Sequence, residues 1–187
     1  MAENLKTTKY NNGTGIQLAA GNINWSVLNS PAYCWYDDDK SNSITYGALY
    51  NWYAVNSGNL CPLGWRVPSD MEWKYLEGYV DSLYKIGNPV WDKSGLRGHN
   101  AGKRLKAKSE WRQGWNSTDD FGFSALPGGE RFTSFNNSKG SSGFWWSCTE
   151  ACSSEAWYRC MIYSLEEISR DRHPKRMGFS VRCLMDK

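Results

Sequence analysis

The stretch Cys61-Pro62-Leu63-Gly64-Trp65-Arg66-Val67-Pro68-Ser69-Asp70-Met71-Glu72-Trp73 limits what this chain can fold into more than any other. It reads as a short buried strand that stops at Pro68 and enters a helix. Ser69 and Glu72 have the spacing of a capping box, in which each side chain satisfies a backbone N–H at the helix start. Trp73, Leu76, Val80 and Leu83 repeat on one face of a 3.6-residue period, which predicts a helix of about four turns ending near Tyr84. Cys61 and Trp65, at the entrance, are expected core anchors.

A chain of 187 residues suits one domain, residues 1–187, with a sizeable core. With 11 Trp and 11 Tyr, that core is expected to be built from a few large flat side chains. The many Gly, Asn and Ser residues predict tight turns and long loops. The class that follows is irregular α+β, not a bundle or a doubly wound sheet. A net charge of +3, with both signs interleaved, offers no stripe for a nucleic acid. No apolar run approaches the roughly 18 residues of a membrane span, so no membrane insertion is expected. The opening Met-Ala-Glu-Asn-Leu-Lys lacks the charged and apolar regions of a secretory signal, so the chain is expected to be a fragment or to travel by another route.

Six cysteines, Cys34, Cys61, Cys148, Cys152, Cys160 and Cys183, form an even set without CxxC spacing. They point to an oxidising compartment, with buried free thiols as the alternative. Asn-Asn-Gly at 11–13 marks a turn, and Tyr33 to Tyr36 a strand. Asp37, Asp38 and Asp39 offer oxygen ligands for calcium but lack an EF-hand frame, which favours a solvated loop. Tyr46 to Val55 fits a helical face, with a strand as the alternative. A short helix is expected from Ala101 to Lys108, with Lys103, Arg104, Lys106 and Lys108 on its wet side. Phe121 to Arg131 reads as a buried strand broken by a Gly-Gly turn, and Phe144 to Ser147 as another buried run. Ala156 to Tyr163, Leu165 to Arg170 and Lys175 to Leu184 are strand candidates for an antiparallel meander.

Candidate chemistry is sparse. His99 and His173 are the only histidines, and no hydrolase, zincin, P-loop or dinucleotide motif occurs. Cys148, Cys152, Cys160 and His173 match no zinc-finger spacing. Glu166 and Glu167, adjacent on an expected strand, point to opposite faces and make no shared acid–base centre. No cofactor is expected.

Four motifs occur in order: Tyr46-Gly47-Ala48-Leu49-Tyr50-Asn51-Trp52-Tyr53-Ala54, then Cys61 to Ser69, then Gly122-Phe123-Ser124-Ala125-Leu126-Pro127-Gly128-Gly129, and finally Gly178-Phe179-Ser180-Val181-Arg182-Cys183. Together they resemble the Fibrobacter succinogenes major paralogous domain family over nearly the whole chain. The resemblance implies a C-type-lectin-like fold, a small twisted antiparallel sheet with two flanking helices. It also implies a home on secreted or surface-anchored bacterial proteins, with Met1 internal to a longer one. Cys34, Cys61 and Cys183 are family positions, and a Cys61–Cys183 bridge is implied; the pairing of the other four stays open. Arg66 to Trp73 also resembles a motif of formylglycine-generating enzymes. That makes a copper oxidase using Cys148 and Cys152 the alternative function, although the shared motif is helix cap and core rather than catalytic sequence.

The favoured expectation is a non-catalytic, monomeric adhesin or receptor-binding domain on a cell surface or phage virion, with a protein or glycan ligand. Its contacts are expected from the segment Glu150 to Met177: Glu155, Trp157, Tyr158, Arg159, Cys160, Ile162, Ser164, Glu166, Asp171, Arg172, His173 and Lys175. By strand alternation, either Trp157 or Tyr158 points into the core. The family's lectin-like fold also serves diversity-generating retroelements, which rewrite Asn codons at adenines. Most residues between the core positions are reachable that way; Glu155, Glu166, Lys175 and Met177 are not.

Overall fold

The passage from strand to capped helix is present in a computed structural model of the chain, which describes residues 3–21, 25–112, 117–132 and 135–186. In chain order the elements are β1 (Gln17–Leu18), β2 (Ala32–Cys34), α1 (Asn42–Tyr46), β3 (Leu49–Tyr50), α2 (Trp52–Val55), β4 (Trp65–Arg66) and α3 (Asp70–Val80). There follow β5 (Gly95–Arg97), α4 (Ala101–Leu105), β6 (Glu130–Phe132), β7 (Phe135–Asn137), β8 (Ser142–Glu150), β9 (Glu155–Ile162), β10 (Ile168–Pro174) and β11 (Leu184–Met185). This is an α+β fold of small sheets. Among the described residues α3 is the longest helix, and no helix is long and apolar enough to cross a membrane.

Helix α3 begins as the capping box predicts. Ser69 Oγ accepts from the Glu72 N–H at 3.3 Å, and Glu72 Oε2 accepts from the Ser69 N–H at 2.9 Å. It stops at Val80, short of Tyr84, because the Asp81 carboxylate diverts the chain. That group accepts from the N–H groups of Leu83 and Tyr84, both at 2.9 Å, and from those of His99, Asn100 and Ala101. Leu83, expected on the buried face, is therefore 60 % exposed.

Tyr46 to Val55 is not one helix. It divides into the end of α1, the buried strand β3 and the short helix α2. Gly47 makes the break, with φ of 77° and no room for a Cβ, which would lie 2.7 Å from the Leu5 carbonyl oxygen. The Asn51 side chain then caps α2 by accepting from the Ala54 N–H at 3.2 Å.

The largest sheet has the order β5-β10-β9-β8 and is antiparallel throughout, with Arg170 opposite Arg159 and Asp171 opposite Tyr158. Two strands of the expected meander are present as β9 and β10, but β10 starts at Ile168, the third strand expected from Lys175 to Leu184 does not join them, and β9's other neighbour is β8. Glu166 and Glu167 lie in the turn before β10, not on a strand. Of Lys175 to Leu184, isolated bridges join Gly178, Phe179 and Ser180 to Arg131, Tyr50 and Trp145. Leu184 belongs to β11, which pairs with β4. The expected strand from Phe121 is largely irregular, and Phe121 is 41 % exposed. Its Ala125 bridges Lys106, and its end enters β6, which pairs with β7.

The core is aromatic, as composition predicts. One cluster gathers Tyr50, Trp52, Trp146 and Phe179; a second gathers Trp73, Trp91, Trp145 and Met161; a third gathers Trp25, Cys34 and Tyr36. Cys61 is disulfide-bonded to Cys183, while Cys34, Cys148, Cys152 and Cys160 are free thiols. Trp65 is only partly buried against the first cluster.

Lys106 is not on a wet helix side. It is buried, and its Nζ donates to the carbonyls of Ile162 at 2.9 Å, Tyr163 at 3.3 Å and Leu165 at 2.7 Å, pinning the β9–β10 turn. In the acidic loop, Asp38 meets Arg131 at 3.4 Å and accepts from the Gly21 N–H, while Asp39 accepts from Ser41. Asp37 lies 3.9 Å from Lys139. The three carboxylates thus face separate partners, and among the described residues no group of three His, Cys, Asp or Glu is placed to hold a metal ion.

Candidate functional site

Successive side chains of a strand face opposite sides, so the register divides the candidate contacts on β9 and β10 between two faces. Trp157, Arg159, Arg170 and Arg172 share the face that packs on α3; Tyr158, Cys160, Asp171 and His173 share the other.

The α3 side is an ion network. Arg159 is wholly buried: its guanidinium donates to Glu77 Oε1 at 2.5 Å, to Asp70 Oδ1 at 2.8 Å and to the Asp70 carbonyl at 3.1 Å. Arg170 meets both Asp70 carboxylate oxygens at 2.8 Å, and Arg97 meets Glu77 Oε2 at 2.5 Å. Burial opposes ionisation of Asp70, yet the bonds and charges of Arg170 and Arg159 outweigh it and hold the carboxyl well below its usual range. Trp157 lies over the Arg170 guanidinium at 3.5 Å and is half-buried. Arg172 stands at the exposed rim, 3.4 Å from Glu155. Arg159, expected to contact ligand, has no exposed surface to do so; it joins the sheet to α3.

The other side carries a ring cluster. Tyr158 lies 5.7 Å from His173, 6.1 Å from Phe144 and 5.0 Å from Phe179 between ring centroids. Phe132 of β6 reaches His173 edge-on at 6.4 Å. Phe179 is the buried floor; Tyr158, His173, Phe144 and Asp171 are half-exposed, and Phe132 is exposed. Burial lowers the His173 pKa against the charges of Glu155 and Asp171, so the ring is neutral at pH 7, and its Nδ1 is buried without a hydrogen-bond partner. Cys160 is buried beneath the rings, its thiol pushed up to about 12 by burial. It too lacks a surface for direct contact, whereas Ile162 remains half-exposed farther along the strand.

The remaining candidates are not brought to this cluster. Ser164 and Glu166 lie in the β9–β10 turn, where Glu166 pairs with Lys103 at 2.9 Å. Lys175 is buried, bonded to Glu150 at 2.7 Å and the Ser153 carbonyl at 2.8 Å, with the Trp52 ring beneath it. Lys175 therefore shapes the end of the sheet instead of presenting charge. Cys148 and Cys152, the cysteines of the oxidase alternative, are exposed free thiols.

Glu130, Phe132 and Phe144 were not singled out from the sequence. Phe144 was legible only as part of a buried run. The other two were readable as alternate positions flanking Arg131, but nothing local says that β6 lies beside the Gly178–Phe179 segment, which the Arg131–Gly178 bridge establishes.

No curated protein and no solved structure matches the chain. The family model of the Fibrobacter succinogenes major domain matches residues 1–185, with all four sequence motifs inside that span, and the chain therefore belongs to this bacterial family.

Proposed function

We propose that the chain is a non-catalytic ligand-binding domain, an adhesin or receptor-binding module with a lectin-like use of its sheet, acting outside the cell or on a virion. The observation that carries this reading is the half-exposed ring cluster of Phe132, Phe144, Tyr158 and His173, standing on a hydrogen-bonded sheet. Rigid aromatic side chains supply most of the energy at binding surfaces, and the Asp171 carboxylate at the rim supplies polar selection. The Cys61–Cys183 disulfide suits an oxidising location. The ligand is a surface protein or a glycan, and retroelement diversification is the proposed source of variation around the cluster.

The test is a binding panel of bacterial surface proteins and glycans probed with the wild-type chain, His173→Ala and, as a control on the exposed side of α3, Tyr79→Ala. Loss of binding in His173→Ala, with retention in Tyr79→Ala and little change in melting temperature, is expected. The reverse pattern moves the binding surface to α3. Sugar competition at millimolar concentration identifies a glycan ligand, and its absence a protein.

A further inference from the structure

Glu130 is a carboxylate without a counter-charge on the proposed ligand face. Among the described residues no hydrogen bond or ion pair reaches its side chain, and desolvation alone shifts its pKa, up to about 7. It occupies β6 two residues from Phe132 and therefore on the same side, while Arg131 between them turns away to Asp38. The Gly129–Gly143 bridge holds the residue before β6 against β8, and the Arg131–Gly178 bridge sets β6 beside the segment that carries Phe179, the floor of the ring cluster. From there its charge acts on Tyr158 and Cys160, and on Tyr36 behind. An ionised carboxylate partly withdrawn from water without a counter-charge is unfavourable. The same surroundings favour a cation strongly, because the quadrupoles and the carboxylate attract it together.

We infer that this cluster seats an organic ammonium group of the ligand, with Glu130 as counter-charge and the rings of Phe132, Phe144, Tyr158 and His173 as walls. The inference rests on the reading of this face as the ligand face and names the chemistry it selects. The cations nearest β6 have other partners, Arg131 turning to Asp38 and Lys139 lying over the Tyr36 ring with Asn42 and Asp37. Asp171 adds negative charge, His173 is neutral, and Glu155 and Arg176 act on His173 from the sheet's end. The ammonium belongs either to a lysine of a protein ligand or to a quaternary headgroup.

The experiment titrates the full chain with choline, with Nα-acetyl-lysine amide, and with uncharged 3,3-dimethylbutan-1-ol as a shape-matched control. Binding is followed by the NMR signals of the Tyr158 and His173 rings. At about pH 8 the ammonium probes are expected to bind at least about tenfold more tightly than the alcohol, and about tenfold more tightly than at pH 5.5, where Glu130 is protonated. Both differences are expected to vanish in Glu130→Gln, whose folding is checked by its melting temperature. The tighter of the two ammonium probes identifies the source, lysine or quaternary group. Equal binding of the alcohol, or a pH dependence that survives in Glu130→Gln and so belongs to His173, overturns the inference. If panel binding is also unaffected by Glu130→Gln yet lost in His173→Ala, only this inference falls; if both variants bind normally, the ligand face itself falls.

Discussion

Arg159 shows how far a residue's sequence context can mislead about its work. Between Tyr158 and Cys160 it looks like one more polar contact on a half-exposed strand. In the fold it is wholly buried and bonded to Asp70 and Glu77, whose positions lie 89 and 82 residues earlier. Removing one member of such a group leaves the opposite charges buried and unpaired, which costs more than the intact network contributes. Arg159→Leu is therefore expected to lower stability by about 3–5 kcal/mol in urea unfolding, whereas a surface arginine such as Arg172 changed to Ala is expected to shift it by under about 0.5 kcal/mol. The network also sets an acid limit. The folded pKa of Asp70 is depressed, so its stabilising effect is complete above the unfolded value of about 4 and is lost as the pH falls below that value. An acid titration of Asp70→Asn should be flatter below about pH 4 than that of the wild type, from a lower plateau at pH 7. No spacing rule links residues 70, 77, 97, 159 and 170, because their meeting depends on strand register and on how α3 lies across the sheet.

At the scale of elements, starts were legible and ends were not. The entry to α3 is written in four consecutive residues, since Ser69 and Glu72 satisfy each other's turn without help from elsewhere. Its exit depends on Asp81 gathering N–H groups from residues 99–101, a long-range event that periodicity does not report. The same contrast explains Tyr46 to Val55, where apolar spacing suggested a helix but Gly47 packs against the distant Leu5 carbonyl. Because the cap is local, its removal should have a local and moderate cost. Ser69→Ala is expected to lower stability by about 1 kcal/mol in denaturant unfolding, with an unchanged slope. Ser69→Asp should recover most of that loss, since an acidic cap accepts the same N–H and faces the positive end of the helix.

Across the whole molecule the two chain ends are held to the same core. The Asn4 Oδ1 accepts from Trp145 Nε1 at 3.0 Å and from Arg182 Nε at 2.9 Å, so the first and last segments close over the sheet together. The Cys61–Cys183 bond ties β11 to the entrance of α3, the helix whose Asp70 and Glu77 hold the sheet's arginines. Composition made the aromatic core legible, but the division of the candidate contacts of Glu150 to Met177 between two faces required the register of β9 with β10. The bridge joins positions separated by 122 residues, and closing so long a loop in the unfolded chain is worth about 5 kcal/mol in the chain-entropy model. Two residue pairs join β11 to β4, with the Asp186 N–H on the Gly64 carbonyl at 2.8 Å and an exposed Arg66–Asp186 pair beside them, so that short edge is weakly held when the bond is broken. The Asn4 contacts and the ion network do not depend on it, which argues that the reduced protein keeps its native core. The double variant Cys61→Ser/Cys183→Ser is therefore expected to unfold at markedly lower denaturant, by about 5 kcal/mol less stability, with hydrogen exchange accelerated first at Leu184 and Met185. If exchange instead rises uniformly across β8, β9 and β10, the bridge is holding the sheet itself, and the coupling runs through α3.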